Sequence, residues 1–545
     1  MALCKLTAEA AAWVEETFSS LSMEEKVAQL MHPLNKRYTQ SEWAEILEKV
    51  PVGSIYFGGV DPEEFPALAK FIQQKSKVPV LFSGDMEHGA LTLKSKRTEF
   101  ADLMAFGAVN DPEYVRQMGE ITAFEARAMG LHWALGPVVD LNLNPENSIT
   151  NIRSFGDDPD KVIPLVRAFI GGMQSNGALA ACCKHFPGDG VDNRDQHMVT
   201  SVNSLPMWQW RELYGRVWQA AIDAGAFSIM AGHISLPDFQ GCQDDPDRAM
   251  PATLSKELQI DLLRNELGFE GVLVSDAFPM TGFTSRMPEK FLAVTNIQNG
   301  SDSVLFSEPV KDYELLMAAL RDGTLSEERV NESAKRILMM KARLGLHRDC
   351  FGVVPSEEEY AAHGLLAQKI ADEAVCILRE NPEVVPVKKE KLRKVLTISL
   401  IRQGNLIPGM ELATVDEELR KRGIEVDHLD NPSRDIIPEI YEKYDRIFVN
   451  TASLSHANLQ LKLTGEPSMF FWHYKFIDYA GKFVFTSFGT PYTLYDQPYL
   501  DNFICVWGFT QVCQRAAVKA WLGEIPMSGK LPVRPYKKKI RAIEF

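Results

Sequence analysis

A chain of 545 residues is longer than the about 250–300 that one hydrophobic core ordinarily serves, so two domains are expected. With 45% hydrophobic and 24% charged residues, it has the apolar material for sizeable cores, which excludes a disordered chain. A formal net charge of −15 argues against nucleic acid, which is held by Lys and Arg; a neutral or cationic small substrate fits better, although an acidic balance also simply keeps proteins soluble.

The opening MALCKLTAEAAAWVEETFSSLSMEEK lacks a basic region followed by a long apolar stretch. Nothing later reaches the about eighteen apolar residues of a membrane span. Eight cysteines at 4, 182, 183, 242, 350, 376, 505 and 513 show neither CxxC nor zinc-finger spacing. The expectation is a cytoplasmic protein with reduced thiols, no membrane partner and no metal.

From the N-terminus, short apolar runs alternate with longer helical patterns: VGSIYF (52–57), VPVLFS (78–83), HWALGPVVD (132–140), LAACCK (179–184), FSIMAG (227–232), GVLVS (271–275) and DSVLF (302–306). Buried parallel strands read this way, and seven or eight such units predict an α/β barrel or a large doubly wound sheet. Helical sequence follows from about 311 to 345, then the connecting stretch LHRDCFGVVPSEEEYAAHG. A second α/β pattern has strands predicted at 395–400, 424–429, 446–450, 483–488 and 504–509. There is no internal repeat and no low-complexity tract.

Polar residues cluster just after several of the apolar runs, where such folds place active sites. In LFSGDMEHG, Asp85 and Glu87 could bind hydroxyls or cap a helix. In the run from Gly136 to Val162, Arg153 precedes a Ser-Phe-Gly turn, and its rigid fork of donors suits sugar hydroxyls or a nearby carboxylate. In CCKHFPGDGVDNRDQH, a strand ends at Lys184 and His185; Pro187, Gly188 and Gly190 then force an irregular loop carrying Asp189, Asp192, Asp195 and His197. Asp195 and His197 are one residue apart, so a turn can set carboxylate against imidazole and fix its tautomer for acid/base work near neutral pH. The rival reading is a surface loop of turn formers. GFEGVLVSDAFPMTG delivers Asp276 at a strand end, where a buried carboxylate needs a ligand, a cation or a base; a helix N-cap is the alternative.

Taken together, KHFPGDG-VDNR-DQH (184–197), DMEHG (85–89), RSFG (153–156), ATLSKELQIDLLRNELGFEGVLVSDAFPMTG (252–282), SFGTPY (487–492) and SGKLPV (528–533) resemble glycoside hydrolase family 3, in its N-acetylglucosaminidase branch. The resemblance spans nearly the whole chain. It implies a (β/α)8 barrel over 1–345, a linker over 346–370 and an α/β sandwich over 371–545. It further implies Asp276 as nucleophile, His197 oriented by Asp195 as acid/base, and Asp85, Arg153, Lys184, His185 and His233 at the sugar. One position departs: Gln196 stands where Ser or Thr is usual.

The implied reaction is retaining release of terminal β-linked N-acetylglucosamine through a covalent glycosyl-enzyme, with no cofactor. A histidine base does not repel phosphate as a carboxylate would, so a phosphorylase is the leading variant, with phosphate as acceptor. A β-glucosidase or β-galactosidase of the same family is a further alternative. A non-catalytic carbohydrate-binding protein is disfavoured, because nucleophile and dyad are both present. Homodimerisation is left open, and the aromatic cluster Trp472, His473 and Tyr474 reads more simply as core than as a sugar contact.

Overall fold

The first unit of the fold is built on strands that are apolar on both faces. In chain order they are β1 (Met31–His32), β2 (Ser54–Tyr56), β3 (Leu81–Gly84), β4 (Trp133–Ala134), β5 (Ala180–Phe186), β6 (Ser201–Val202), β7 (Ser228–Ala231), β8 (Ile234–Ser235), β9 (Val272–Ser275) and β10 (Val304–Leu305). Strand β5 is buried at all seven positions, as a parallel strand covered by helices must be. This is a computed structural model describing residues 6–58, 61, 63–90, 98–401, 412–452, 466–471 and 476–534.

Six of these strands form a curled parallel sheet in the order β2-β3-β4-β5-β7-β9, and β1 pairs with β10. Parallel bridges join Leu34 to Tyr56 and Val274 to Ser303, linking the β1-β10 pair to both edges of the sheet. Helices intervene, as right-handed parallel connections require. Their starts are written in sequence: Thr39 and Glu42 form a reciprocal capping box before the helix Gln40–Lys49, and the Ser326 hydroxyl accepts from Arg329 N ahead of Glu327–Arg343. All seven apolar runs predicted as strands in this part contain one. The two-residue strands β1, β6 and β8 were not predicted; β6 and β8 pair with each other, parallel.

The second unit holds a six-stranded sheet. Its members are β11 (Cys376–Arg379), β12 (Lys394–Ile401), β13 (Glu425–Asp430), β14 (Arg446–Ala452), β15 (Phe483–Ser487) and β16 (Phe503–Cys505), in the order β11-β16-β15-β14-β12-β13. All pairings are parallel except β11 with β16. The five predicted strands are present, whereas β11 was missed.

Each unit is assembled from several stretches of the chain. The first comprises 1–98, 115–141 and 162–360; the second comprises 99–114, 142–161 and 361–545. Much of the stretch expected as a linker over 346–370 is a helix, Glu357–Ala374. The first of the early stretches carries no compositional mark, because it is apolar enough to pass for core: Leu103–Ala108 is buried throughout. Within the second unit, Gly156 of the RSFG element lies against the SGKLPV stretch, where an added Cβ would sit 2.5 Å from Pro532 O. Among the described residues, no helix is long and apolar enough to cross a membrane. The aromatic cluster at 472–474 lies outside the described residues.

Candidate active site

Strand β9 ends at Ser275, and the next residue, Asp276, is only 8% exposed. Its backbone N–H donates to Ala231 O at 2.8 Å, which ties it to the end of β7. Its two carboxylate oxygens differ: Oδ1 accepts from Ala277 N at 2.7 Å, while Oδ2 is buried with no hydrogen-bond partner. Burial opposes the charged form, but the imidazoles of His233, His185 and His197 and the Ala277 N–H outweigh it, holding the carboxyl below its ordinary range. An ionised oxygen with no protein partner is kept for something else.

His197 Nδ1 lies 2.7 Å from Asp195 Oδ1, and the same oxygen accepts from the His197 backbone N at 2.8 Å. Because a carboxylate only accepts, Nδ1 carries the proton. The His197 side chain is 29% exposed against 12% for that of Asp195, so the anchor is the more buried of the two. Gln196, between them, is buried to 1%, and its Oε1 accepts from His233 N at 2.9 Å.

Lys184 and His185 lie within the last residues of β5. The buried Lys184 ammonium contacts Asp85 Oδ1 at 2.6 Å and Glu87 Oε1 at 2.7 Å. Asp85, half exposed just beyond β3, also accepts from the Tyr56 hydroxyl at 2.8 Å; burial and then the Asp85 charge push that phenol well above its usual range. His185 Nδ1 donates to Asp140 Oδ2 at 2.7 Å, so a second imidazole is oriented by a carboxylate. Asp140 is wholly buried and also accepts from the His185 backbone N and from Asp189 N.

His233, expected near the sugar, lies beside Asp276 with its ring turned into the protein. Its ring is fully buried, Nε2 donates to Ala277 O at 3.0 Å, and Nδ1 accepts from Thr253 Oγ1 at 3.0 Å. Burial depresses its pKa, while the Asp276 charge pulls the other way. Both nitrogens are thus engaged inside the protein, one of them on the peptide that follows Asp276. Arg153 belongs to the second unit, in the turn Asn151–Arg153, where its guanidinium donates to Ile149 O at 3.1 Å. Among the described residues, no group of three or more His, Cys, Asp or Glu side chains could hold a metal.

Residues 22–340 match the Glycosyl hydrolase family 3 N terminal domain. The chain belongs to glycoside hydrolase family 3. It is 31% identical to a β-N-acetylglucosaminidase/β-glucosidase of Cellulomonas fimi, over 96% of this chain and 95% of that one. A β-hexosaminidase A of Pseudoalteromonas piscicida is 27% identical over 57% of each chain. Among solved structures, the β-glucoside phosphorylase BglX superposes with a TM-score of 0.86 at 29% identity, covering 97% of both chains. A β-N-acetylglucosaminidase from Paenibacillus sp. str. FPU-7 superposes with a TM-score of 0.83 at 25% identity, covering 95% of this chain and 99% of that one.

Against that family background, the first unit places Asp276, Lys184, His185 and Asp85 at the C-terminal ends of its strands and Asp195 and His197 on the loop that follows β5. Asp140 and Tyr56 complete the arrangement without having been singled out from sequence. Asp140 closes the run HWALGPVVD, so it carries the same mark as Asp276, a carboxylate ending an apolar strand. Tyr56 carries no such mark; only its Asp85 contact sets it apart.

Proposed function

We propose that this family 3 enzyme is a retaining β-glycosidase that releases terminal β-linked N-acetylglucosamine, with a (β/α)8 barrel and an α/β sandwich as its two domains. The observation that carries the reading is the buried, unpartnered Oδ2 of Asp276, ionised and in the field of His197. In the first step Oδ2 attacks the anomeric carbon as the His197 imidazolium gives its Nε2 proton to the departing oxygen. In the second, neutral His197 takes a proton from the acceptor, which displaces Asp276. Asp195 holds the ring in the same tautomer through both steps. Asp85, Lys184 and His185 are assigned to the sugar hydroxyls, since each ends a strand beside the reacting pair.

The choice of sugar is supported by the relative from Cellulomonas fimi, whose name carries both N-acetylglucosaminide and β-glucoside. A second reading concerns the acceptor. The base is an imidazole, which leaves no fixed negative charge to repel phosphate, and the fold is similar over nearly its whole length to a β-glucoside phosphorylase.

Turnover of p-nitrophenyl β-N-acetylglucosaminide, β-glucoside and β-galactoside, with and without millimolar phosphate, separates these readings. Preference for the acetamido sugar is expected, with activity abolished in Asp276→Ala and steeply reduced in His197→Ala. Undiminished turnover in Asp276→Ala overturns the nucleophile. Free sugar as the only product in phosphate removes the phosphorylase reading, and sugar 1-phosphate establishes it.

A further inference from the structure

Gln196 lies between the two members of the dyad, yet its side chain points away from solvent while its neighbours do not. It is buried to 1%, beside His197 at 29% and Met198 at 51% exposure. Its Oε1 accepts from the backbone N of His233 at 2.9 Å. The carbonyl of the same residue, His233 O, accepts from Ser201 N at 3.1 Å, and Asn203 N donates to Ser235 O at 2.9 Å. The dyad loop therefore runs along 233–235 and grips both sides of His233.

His233 in turn leads to the nucleophile. Its ring Nε2 donates to Ala277 O, and Ala277 N donates to Asp276 Oδ1. A continuous chain of contacts thus joins Gln196 to Asp276. A second row runs beside it: Thr281 N donates to His197 O at 2.9 Å, and the Thr200 hydroxyl donates to Gly282 O at 2.7 Å. Gly282 permits this approach, since a Cβ there would lie 2.3 Å from Gln196 O. Three bonds separate the Gln acceptor oxygen from its Cβ and one separates a Ser hydroxyl from its own, so a Ser or Thr in this place could not span the same gap.

We propose that Gln196 is a positioning residue for the acid/base: its amide oxygen fastens the dyad loop to the backbone that supports Asp276, and so sets the reach of His197 to the departing oxygen. This rests on His197 as the proton donor. Proton donation matters most when the leaving group is poor, so a misplaced acid is felt there first, whereas general loss of structure lowers all substrates alike.

The test compares wild type, Gln196→Met, Gln196→Ser and His197→Ala on aryl β-glycosides of the preferred sugar, from p-methoxyphenyl to 2,4-dinitrophenyl. Met matches Gln in length and apolar fill but cannot accept from His233 N, and a thermal melt checks that each variant folds. For Gln196→Met, kcat/KM is expected to fall roughly tenfold or more on the p-methoxyphenyl substrate and less than about threefold on the dinitrophenyl one, with Gln196→Ser alike. Losses equal across leaving groups, or no loss, overturn the role of Gln196 while His197→Ala still shows steep leaving-group dependence. If His197→Ala itself shows none, the acid/base reading beneath it fails.

Discussion

Two buried aspartates at opposite ends of neighbouring strands show how differently this sheet uses a carboxylate. Asp302 precedes β10 and contacts the start of β9, where its Oδ2 accepts from Leu273 N at 2.9 Å. It also accepts from Arg264 at 2.7 Å, Arg329 at 2.6 Å, Arg336 at 3.1 Å and Ser333 at 2.8 Å. Asp276 follows β9, and one of its oxygens has no protein partner. Both carboxyls are held below their ordinary range against the cost of burial, Asp302 by Arg336, Arg264 and Arg329, Asp276 by three imidazoles and one N–H. The saturated carboxylate serves the fold, and the unsaturated one is the proposed nucleophile, a division in keeping with parallel strands that place stability and chemistry at their two ends.

Exchanging each carboxylate for an amide breaks the comparison open. Asp276→Asn is expected to cost roughly 10³-fold or more in kcat, since the nucleophile is gone, while stability changes by no more than about 1 kcal/mol. Asp302→Asn is expected to do the reverse, costing about 3–5 kcal/mol because three guanidinium groups lose their counter-charge. Its folded fraction keeps near-wild-type kcat. Denaturant titration beside initial rates for both variants decides it; a Asp302→Asn protein that is stable but inactive would end the division of labour.

Asp140 sharpens the contrast, because it sits at the chemical end yet is fully engaged, with three N–H groups donating to it. It should therefore behave as a hybrid. Asp140→Asn presents an amide N–H to donors and lets the His185 ring turn, and kcat/KM is expected to fall on the order of tenfold to a hundredfold. The melting temperature should fall by a few degrees, less than for Asp302→Asn. A change in stability alone would remove His185 from the working site.

How much of this was legible depended on how local the signal was. Strands β5 and β9 read directly from LAACCK and GVLVS, since burial on both faces leaves an unbroken apolar run. Strands β1, β6 and β8 are two residues each and, unlike β4 and β10, fall outside the apolar runs, so no pattern announces them. The dyad was legible because Asp195 and His197 are adjacent but one. Asp140 and His185 are 45 residues apart, and Gln196 and His233 are 37 apart, so those pairings become visible only when strand ends meet. The segments 99–114 and 142–161 fold with the second unit for the same reason: their partners lie hundreds of residues away, as Asp102 N to Trp507 O shows.

The N-terminal end of the strands is not uniformly stabilising, and Lys341 tests that. It is fully buried on the helix Glu327–Arg343, where its ammonium donates to Gln29 Oε1 at 2.6 Å; Gln29 precedes β1 and itself donates to Pro51 O ahead of β2. Among the described residues, no carboxylate neutralises it as the guanidinium groups neutralise Asp302. Burial accordingly pushes its pKa from 10.5 down to about 7, with the Cys350 thiol acting weakly in the opposite sense. Between about pH 7 and 10.5 the unfolded chain carries a proton on this lysine that the folded chain has released. Stability rises with pH wherever the unfolded state binds more protons, so Lys341 weakens the protein most below pH 7 and progressively less above it. Its share of the slope is at most one proton, about 1.4 kcal/mol per pH unit. Lys341→Met, of similar length and without charge, is expected to flatten the rise in unfolding free energy between about pH 7 and 9 relative to wild type, and to raise stability at pH 6. Parallel pH profiles in the two proteins would instead mean that water reaches the ammonium, and that this end of the sheet leaves neither of its buried charges to bear the cost of burial alone.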